Sequence, residues 1–251
     1  MPRRADRSPA ASIQAEPIEV LRLEFGRFPE ISRLNPRFVE RNERFKLTLD
    51  VRAARGQGSS PPALLGALES MLPSLSRHRC AGGGRLREIV LKRPRRGERS
   101  AEDAADIAHL LEHVIIDFQH FVAEMRICSG VTCGYESPRH RFDVFVETPG
   151  RPVSRLCVTL ACELLNSLLK GAQPDPLCLK VVKLARAVHA RGPQPLSAAD
   201  GAAALGGDPQ SAEALAVLRE LRFVEEIELS LNFSRVPVFR LGSETAAAGE
   251  P

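Results

Sequence analysis

Three residues within a five-residue stretch carry the side chains that metal-dependent hydrolysis uses. His109, Glu112 and His113 form the pattern HxxEH. If the stretch is helical, the two histidines lie one turn apart on the same face, so their imidazoles can bind one cation. Glu112 lies beside them and could take a proton from a water at that cation. The spacing is that of the inverted HExxH motif, and it predicts a metallopeptidase-like zinc site.

The third protein ligand is open from the residues alone. A catalytic zinc site needs three protein ligands and one position left for water. We rank Glu147 first, because it lies near the end of a predicted strand that we expect close to the motif helix. Glu136 in the intervening loop and Glu163 on the following helix are the alternatives, and His78 and Cys80 could also approach.

The motif lies on the clearest helix that the sequence predicts, which begins at Ser100 and extends to about Met125. Its apolar residues follow an i, i+3, i+4 rhythm and form one broad face. The motif residues lie largely away from that face, so a solvated polar stripe is the competing interpretation. The zinc site therefore requires a second element that covers the stripe and makes a cleft.

The elements around this helix predict an α+β domain with a mixed sheet and packed helices. Alternation of apolar and polar residues indicates half-buried strands, and apolar residues at helical spacing indicate helices. The predicted strands are Ile18–Phe25, Arg44–Val51, Leu86–Leu91 and Arg141–Thr148. The other predicted helices are Ala63–Leu72 and Val153–Leu169.

After Pro176 the pattern changes to three helices followed by a hairpin, which is the order of a winged helix. The predicted helices are Leu177–Ala190, Leu196–Leu205 and Asp208–Leu221, and the predicted strands are Phe223–Leu231 and Val236–Leu241. The third helix carries more acidic than basic residues, which disfavours contact with phosphate. We therefore favour a protein-interaction or homo-oligomer role for this module over nucleic-acid binding.

These patterns divide the chain into a first domain at 18–172 and a small winged-helix-like domain at 176–242, with disordered tails at 1–17 and 243–251. No apolar run reaches the ~18 residues of a membrane span, and the N-terminus lacks the apolar region of a secretory signal. We expect a cytoplasmic protein with reduced cysteines and no membrane partner. The net charge is +4, and the basic run Lys92–Arg99 is interpreted as a solvated loop.

Several segments together resemble a known domain. Ala108–Gln119 resembles the HxxEHxxxxxQ segment in the N-terminal domain of cyanophycin synthetase. The similarity continues in order and covers roughly Ile18 to Gly171. The matching segments are the helix Ala63–Met71, the LPxLxxHxC-like segment Leu72–Cys80, the strand Arg141–Thr148 and the helix Arg155–Gly171.

This resemblance implies a domain that binds a cyanophycin-like polymer, a polyaspartate backbone with arginine on its side chains, and in some members cleaves it. By matching position, His109 and His113 would bind the metal and Glu112 would be the base. The family's Gly- and Arg-rich loop after the motif helix is replaced here by Cys128–His140, which leaves the substrate open.

No GxxxxGK[ST] loop is present, and the ATP-binding and ligase domains of the synthetase have no counterpart in this sequence. We expect a stand-alone relative that acts as a zinc-dependent peptidase or amidase on a peptide or a cyanophycin-like polymer. Two alternatives stay open. One is a non-catalytic module that binds a polymer or a partner, and the other is a DNA-binding regulator that works through the winged helix.

Overall fold

The computed structural model describes most of residues 16–174 and short segments after them. The gaps before residue 174 are 36–37, 39–40, 53–59, 81–82, 93–98 and 124–127. After residue 174 the described positions are 178, 180, 196–197, 200, 203, 224–231 and 234–241. Of the helices in these ranges, none has both the length and the hydropathy needed to cross a bilayer.

The first domain contains a four-stranded sheet. Its strands are β1 (Ile18–Gly26), β2 (Arg44–Val51), β3 (Gly130–Gly134) and β4 (Arg141–Glu147), in the order β1-β2-β4-β3. Every pair is antiparallel, so the α+β class is confirmed but the prediction of a mixed sheet is wrong. The strands β3 and β4 form a hairpin, and β4 also pairs with β2 in the antiparallel sense.

The strands place one apolar face against the helices. Phe45, Leu47 and Leu49 of β2 are fully buried in the main core, whereas Lys46 and Thr48 between them point to the opposite face and bind Asp143. This alternation is the period of two that the sequence shows. Because the same rule holds along β3 and β4, each of their residues is assigned to the helix side or the outer side.

Four helices lie beside the sheet, and the two longest of the four contact its strands. They are α1 (Pro61–Met71), α2 (Leu86–Lys92), α3 (Arg99–Ala123) and α4 (Arg151–Leu169). The long helix α3 contacts β3 and β4 on one side and α4, α1 and the 3₁₀ turn Pro73–Arg77 on the others. Its polar residues Glu112, His113 and Asp117 are therefore only 4%, 4% and 1% exposed. The competing interpretation of a solvated polar stripe is wrong for this helix.

Residues Leu86–Leu91 were predicted as a strand and form α2 instead. Leu86 and Val90 are buried, and they lie four residues apart on one face of the helix. A strand would have put Glu88 on that same buried face, because side chains two apart share a face in a strand. The apolar run was thus too short for its period to distinguish the two structures.

Part of the C-terminal prediction can be compared with the structure. The hairpin is present as β6 (Val224–Leu231) and β7 (Ser234–Leu241), with the two-residue strand β5 (Leu196–Ser197) paired to β7. The helix predicted over Leu196–Leu205 is therefore wrong at its start, because Leu196 and Ser197 extend the sheet, although positions 200 and 203 are helical. The predicted helix Asp208–Leu221, most of Leu177–Ala190 and nearly all of both tails lie outside the described residues, so the winged helix stays a prediction.

Candidate metal centre

Two histidines of α3 and a cysteine from an earlier segment direct their ligand atoms at a common point. The Nε2 atoms of His109 and His113 lie 3.2 Å apart, and Sγ of Cys80 lies 3.5 Å from each of them. Tetrahedral zinc, with nitrogen at about 2.0–2.1 Å and sulfur at about 2.3 Å, separates its ligand atoms by about 3.3–3.4 Å for N–N and about 3.5–3.6 Å for N–S. The side chains therefore fit a zinc ion, and among the described residues this is the group of histidine, cysteine and acidic side chains that could hold a metal.

The chemistry of these side chains also suits a metal. Burial lowers the pKa of His113 well below its usual range, and the neighbouring His109 and His78 lower it further. His113 is thus held as the neutral imidazole that binds metals. Burial raises the pKa of the Cys80 thiol to about 11, and Glu112 adds to this shift. A divalent cation at this point would favour the thiolate.

The segment that carries Cys80 is fixed by its backbone. It leaves the 3₁₀ turn Pro73–Arg77, whose Leu75 is buried, and the amide of His78 donates to the carbonyl of Leu75. Two further hydrogen bonds close a tight turn, since the amide of Cys80 donates to Gly84 and that of Gly83 donates to Cys80. Gly83 has a φ of 84°, a conformation that glycine adopts without strain.

Glu112 lies on the side of α3 that faces the sheet. Its Oε2 accepts a hydrogen bond of 2.5 Å from the Thr132 hydroxyl of β3. A Cβ added at Gly130 would stand 2.6 Å from Oε1, so only glycine allows this approach. Gly130 and Thr132 point at the helix because their partners on β4, Val146 and Val144, belong to the core face. Burial raises the pKa of Glu112 to about 7, against the opposing effect of the Thr132 hydrogen bond.

Glu147, the residue that we ranked first as third ligand, is placed on the other face of the sheet. Its neighbour Val146 faces the helices, so Glu147 points outward by strand alternation. Its Oε2 accepts from the backbone amide of Ser129 at 3.1 Å, and its Oε1 accepts from Nδ2 of Asn42 at 3.4 Å. Arg44 is its cross-strand partner on β2.

The two alternative glutamates are also away from the histidines. Glu136 is exposed in the turn between β3 and β4. Glu163 is exposed on α4, where it lines an open groove between that helix and β1. The structure thus brings Cys80 to the two histidines, and it does not bring any of the three glutamates there.

A chain of polar side chains extends from the centre into the protein. Nδ1 of His78 lies 3.1 Å from Nδ1 of His113, and Nε2 of His78 lies 3.1 Å from Oδ1 of Asp117. The Ser74 hydroxyl donates to Oδ2 of Asp117 at 2.9 Å. Sequence reasoning assigned no function to Asp117 or Ser74, although the i, i+4 spacing of His113 and Asp117 already places them on one helical face.

The chain matches a known protein family. The model of the family described as "Cyanophycin synthase-like N-terminal domain" matches residues 46–170. The matched range includes the whole candidate centre, from the 3₁₀ turn through α3, and the strands β3 and β4. A search of the curated proteins gives no significant match.

Proposed function

Because residues 46–170 belong to the cyanophycin synthase-like N-terminal domain family, we propose that this domain is a zinc-dependent amide hydrolase. Its substrate would be a peptide or a cyanophycin-like polymer. The observation that carries the proposal is the convergence of His109, His113 and Cys80 at zinc-ligand separations, with a buried carboxyl next to one of them. In this proposal Cys80 is the third ligand and Glu147 is not a ligand.

Two sides of α3 contribute to the proposed hydrolysis: one carries the metal ligands His109 and His113, and the other carries the general base Glu112. Zinc, when bound, supplies Lewis acidity and makes water a stronger nucleophile at neutral pH. Cys80, His109 and His113 would hold the ion as its three protein ligands. The ionised Glu112 takes a proton from the water while the oxygen of that water attacks the carbonyl carbon of the substrate. The same carboxyl then gives the proton to the amide nitrogen as the carbon–nitrogen bond breaks.

Electrostatics connect the two sides. Cys80, His109 and His113 form the ligand cluster. Glu112 raises the pKa of the Cys80 thiol, so its carboxyl acts on this cluster even though its hydrogen bond is with Thr132 of β3. Thr132 and Gly130 hold the Glu112 carboxyl against β3, so its action as a base requires the side chain to turn from the Thr132 hydroxyl toward the water.

One observation favours a second candidate, a metal-holding module that binds a polymer or partner without turnover. The hydrogen bond from Thr132 and the close contact with Gly130 direct the Glu112 carboxyl toward the sheet. A carboxyl that stays there during binding would not reach a water at the ligand cluster. Cleavage assays separate the two functions.

The test uses the purified full chain. We expect about one zinc ion per chain and release of small products from cyanophycin or from aspartate- and arginine-containing peptides. Glu112→Gln should bind zinc normally but lose roughly 10²–10⁴-fold in cleavage rate, the usual loss for a general base. Glu136→Gln, which removes an exposed glutamate, is the matched control and should cleave like the wild type.

The outcomes have distinct meanings. Zinc at one per chain with no cleavage of any peptide would support the binding module. Cleavage that survives Glu112→Gln would contradict the assignment of the base. A chain that takes up no zinc after purification without chelators would contradict both functions.

A further inference from the structure

We infer that His78 is a positioning residue that connects the metal ligand His113 to the buried carboxylate of Asp117. The inference rests on the proposed function only in taking His113 as a ligand. It assigns a role to three residues, His78, Asp117 and Ser74, that do not touch the metal position themselves.

The residues His113, His78, Asp117 and Ser74 form a hydrogen-bond series, in which the direction of each bond fixes the direction of the next. His113 presents Nε2 to the ligand cluster, so its proton is on Nδ1, which lies 3.1 Å from Nδ1 of His78. His78 must therefore accept at Nδ1 and carry its own proton on Nε2. That Nε2–H donates to Oδ1 of Asp117 at 3.1 Å. Every donor in the series meets an acceptor when both imidazoles are neutral.

The carboxylate of Asp117, at the end of the hydrogen-bond series away from the metal position, is held in place. Asp117 is 1% exposed, and its second oxygen accepts the Ser74 hydroxyl at 2.9 Å. The carboxylate therefore cannot rotate away from His78 without leaving a buried oxygen without a donor, which is unfavourable. A fixed carboxylate fixes the ring of His78, and that ring fixes the tautomer of His113.

The hydrogen-bond series also connects the two segments of the protein that supply the candidate ligands. Asp117 lies one helical turn after His113 on α3, whereas Ser74 and His78 lie at the two ends of the 3₁₀ turn that leads to Cys80. The hydrogen-bond series therefore connects the segment that carries Cys80 to α3 through three contacts of 2.9–3.1 Å. Outer partners of this kind orient ligating histidines, and their loss commonly weakens metal affinity by about 10–100-fold.

The first experiment measures protonation in the metal-free wild type. Long-range ¹H–¹⁵N correlation spectra of the EDTA-treated full chain report which ring nitrogen of each histidine carries a proton. We expect the proton on Nδ1 for His113 and on Nε2 for His78. A proton on Nε2 of His113, or on Nδ1 of His78, would overturn the inference without any variant.

The second experiment measures zinc affinity by titration against a chromogenic chelator. His78→Phe keeps the ring volume and removes both ring nitrogens, and we expect about 10–100-fold weaker binding. Asp117→Asn keeps an acceptor for His78 and should lose less affinity than Asp117→Ala. His140→Phe is the matched control, because His140 is exposed on the outer face of the sheet near Asp50. The zinc affinity of this variant should equal that of the wild type.

Circular dichroism of each metal-free variant shows that it is folded at the titration temperature. Folded His78→Phe that binds zinc within twofold of the wild type would overturn the inference. A wild type with the expected tautomers but no zinc uptake would overturn it too, together with the proposed function. Normal zinc affinities and the expected losses, without cleavage, would contradict only the hydrolase.

Discussion

Two polar clusters lie on opposite sides of one sheet and differ in the partners that their polar atoms meet. The Glu147 cluster consists of Asn42, Arg44, Ser129 and Glu147, and its oxygens meet donors: the Ser129 amide and the Asn42 side chain bind Glu147, while Arg44 binds the carbonyl of Asn42. The ligand cluster consists of Cys80, His109 and His113, whose three ligand atoms face one another at 3.2–3.5 Å.

The difference separates a structural cluster from a candidate metal centre. Both clusters combine buried residues, such as Glu147 and His113, with a more exposed one, Asn42 or His109, and both contain residue types that bind metals, so neither burial nor composition distinguishes them. Lone pairs that converge on one point need a cation or protons between them, whereas a carboxylate that accepts from an amide and a carboxamide is already satisfied. The comparison can be tested by disturbing each cluster separately.

The largest expected effect on stability comes from Gly130→Ala. The added Cβ would lie 2.6–2.9 Å from three atoms of the Glu112 side chain, which is itself buried. We expect the free energy of unfolding to fall by about 3 kcal/mol, the upper part of the usual range for overpacking. Cleavage should fall as well, because the carboxyl is displaced, while zinc affinity stays within a few-fold.

Gly66→Ala is the control for that substitution. No atom lies within 4 Å of a Cβ added at Gly66, which is inside α1. Alanine there should stabilise the chain by about 0.5–1 kcal/mol, because it restricts the unfolded backbone. If Gly130→Ala were as harmless as Gly66→Ala in chemical denaturation, the described contact between β3 and Glu112 would be wrong.

A second prediction concerns Glu112 in EDTA-treated protein. Its folded pKa is about 7 and its unfolded pKa is near the ordinary value of 4.5, so the folded state holds the proton more tightly. The stability from this group is present below the unfolded value and is lost as the pH rises through the folded value. Between pH 5 and pH 8 the loss is ~2.5 kcal/mol.

Glu112→Gln should remove this contribution. The wild type should lose ~2.5 kcal/mol more than the variant between pH 5 and pH 8 in urea unfolding, because the variant lacks the carboxyl that titrates in this range. Equal pH dependence of the two proteins would contradict the burial of this carboxyl against β3.

The smallest of these stability effects is expected at the Glu147 cluster. Glu147→Gln removes the charge that faces the fully buried Arg44 and weakens the hydrogen bond with the Ser129 amide. We expect a loss of about 2 kcal/mol in urea unfolding, typical for hydrogen bonds to charged groups. Zinc affinity should not change. A large loss of zinc in this variant would instead support Glu147 as a ligand.

The sequence predicted the parts of the fold that have a clear period. The strands at Ile18, Arg44 and Arg141 and the helices at Ala63, Ser100 and Val153 were found within a few residues. Leu86–Leu91 was assigned wrongly because six residues do not separate a period of two from one of 3.6. The strand β3 was missed, because glycines at both of its ends favour a loop when judged by propensity.

The candidate site was predictable where it depends on one helix and not where it depends on tertiary packing. The spacing of His109 and His113 shows that they share a face. That Cys80 joins them, and that Glu147 does not, depends on which face of the sheet each element meets. Strand alternation could have placed Glu147 outward once Val146 was assigned to the core, but the path of the Cys80 segment has no local signal in the sequence.

Zinc content after purification without chelators shows whether Cys80 or Glu147 completes the metal centre, and mass spectrometry can measure it for Cys80→Ser, His113→Ala, Glu147→Gln and the wild type. We expect about one zinc per chain in the wild type and in Glu147→Gln, and little or none in Cys80→Ser and His113→Ala. Full zinc in Cys80→Ser, or its loss in Glu147→Gln alone, would mean that Cys80 is not the third ligand.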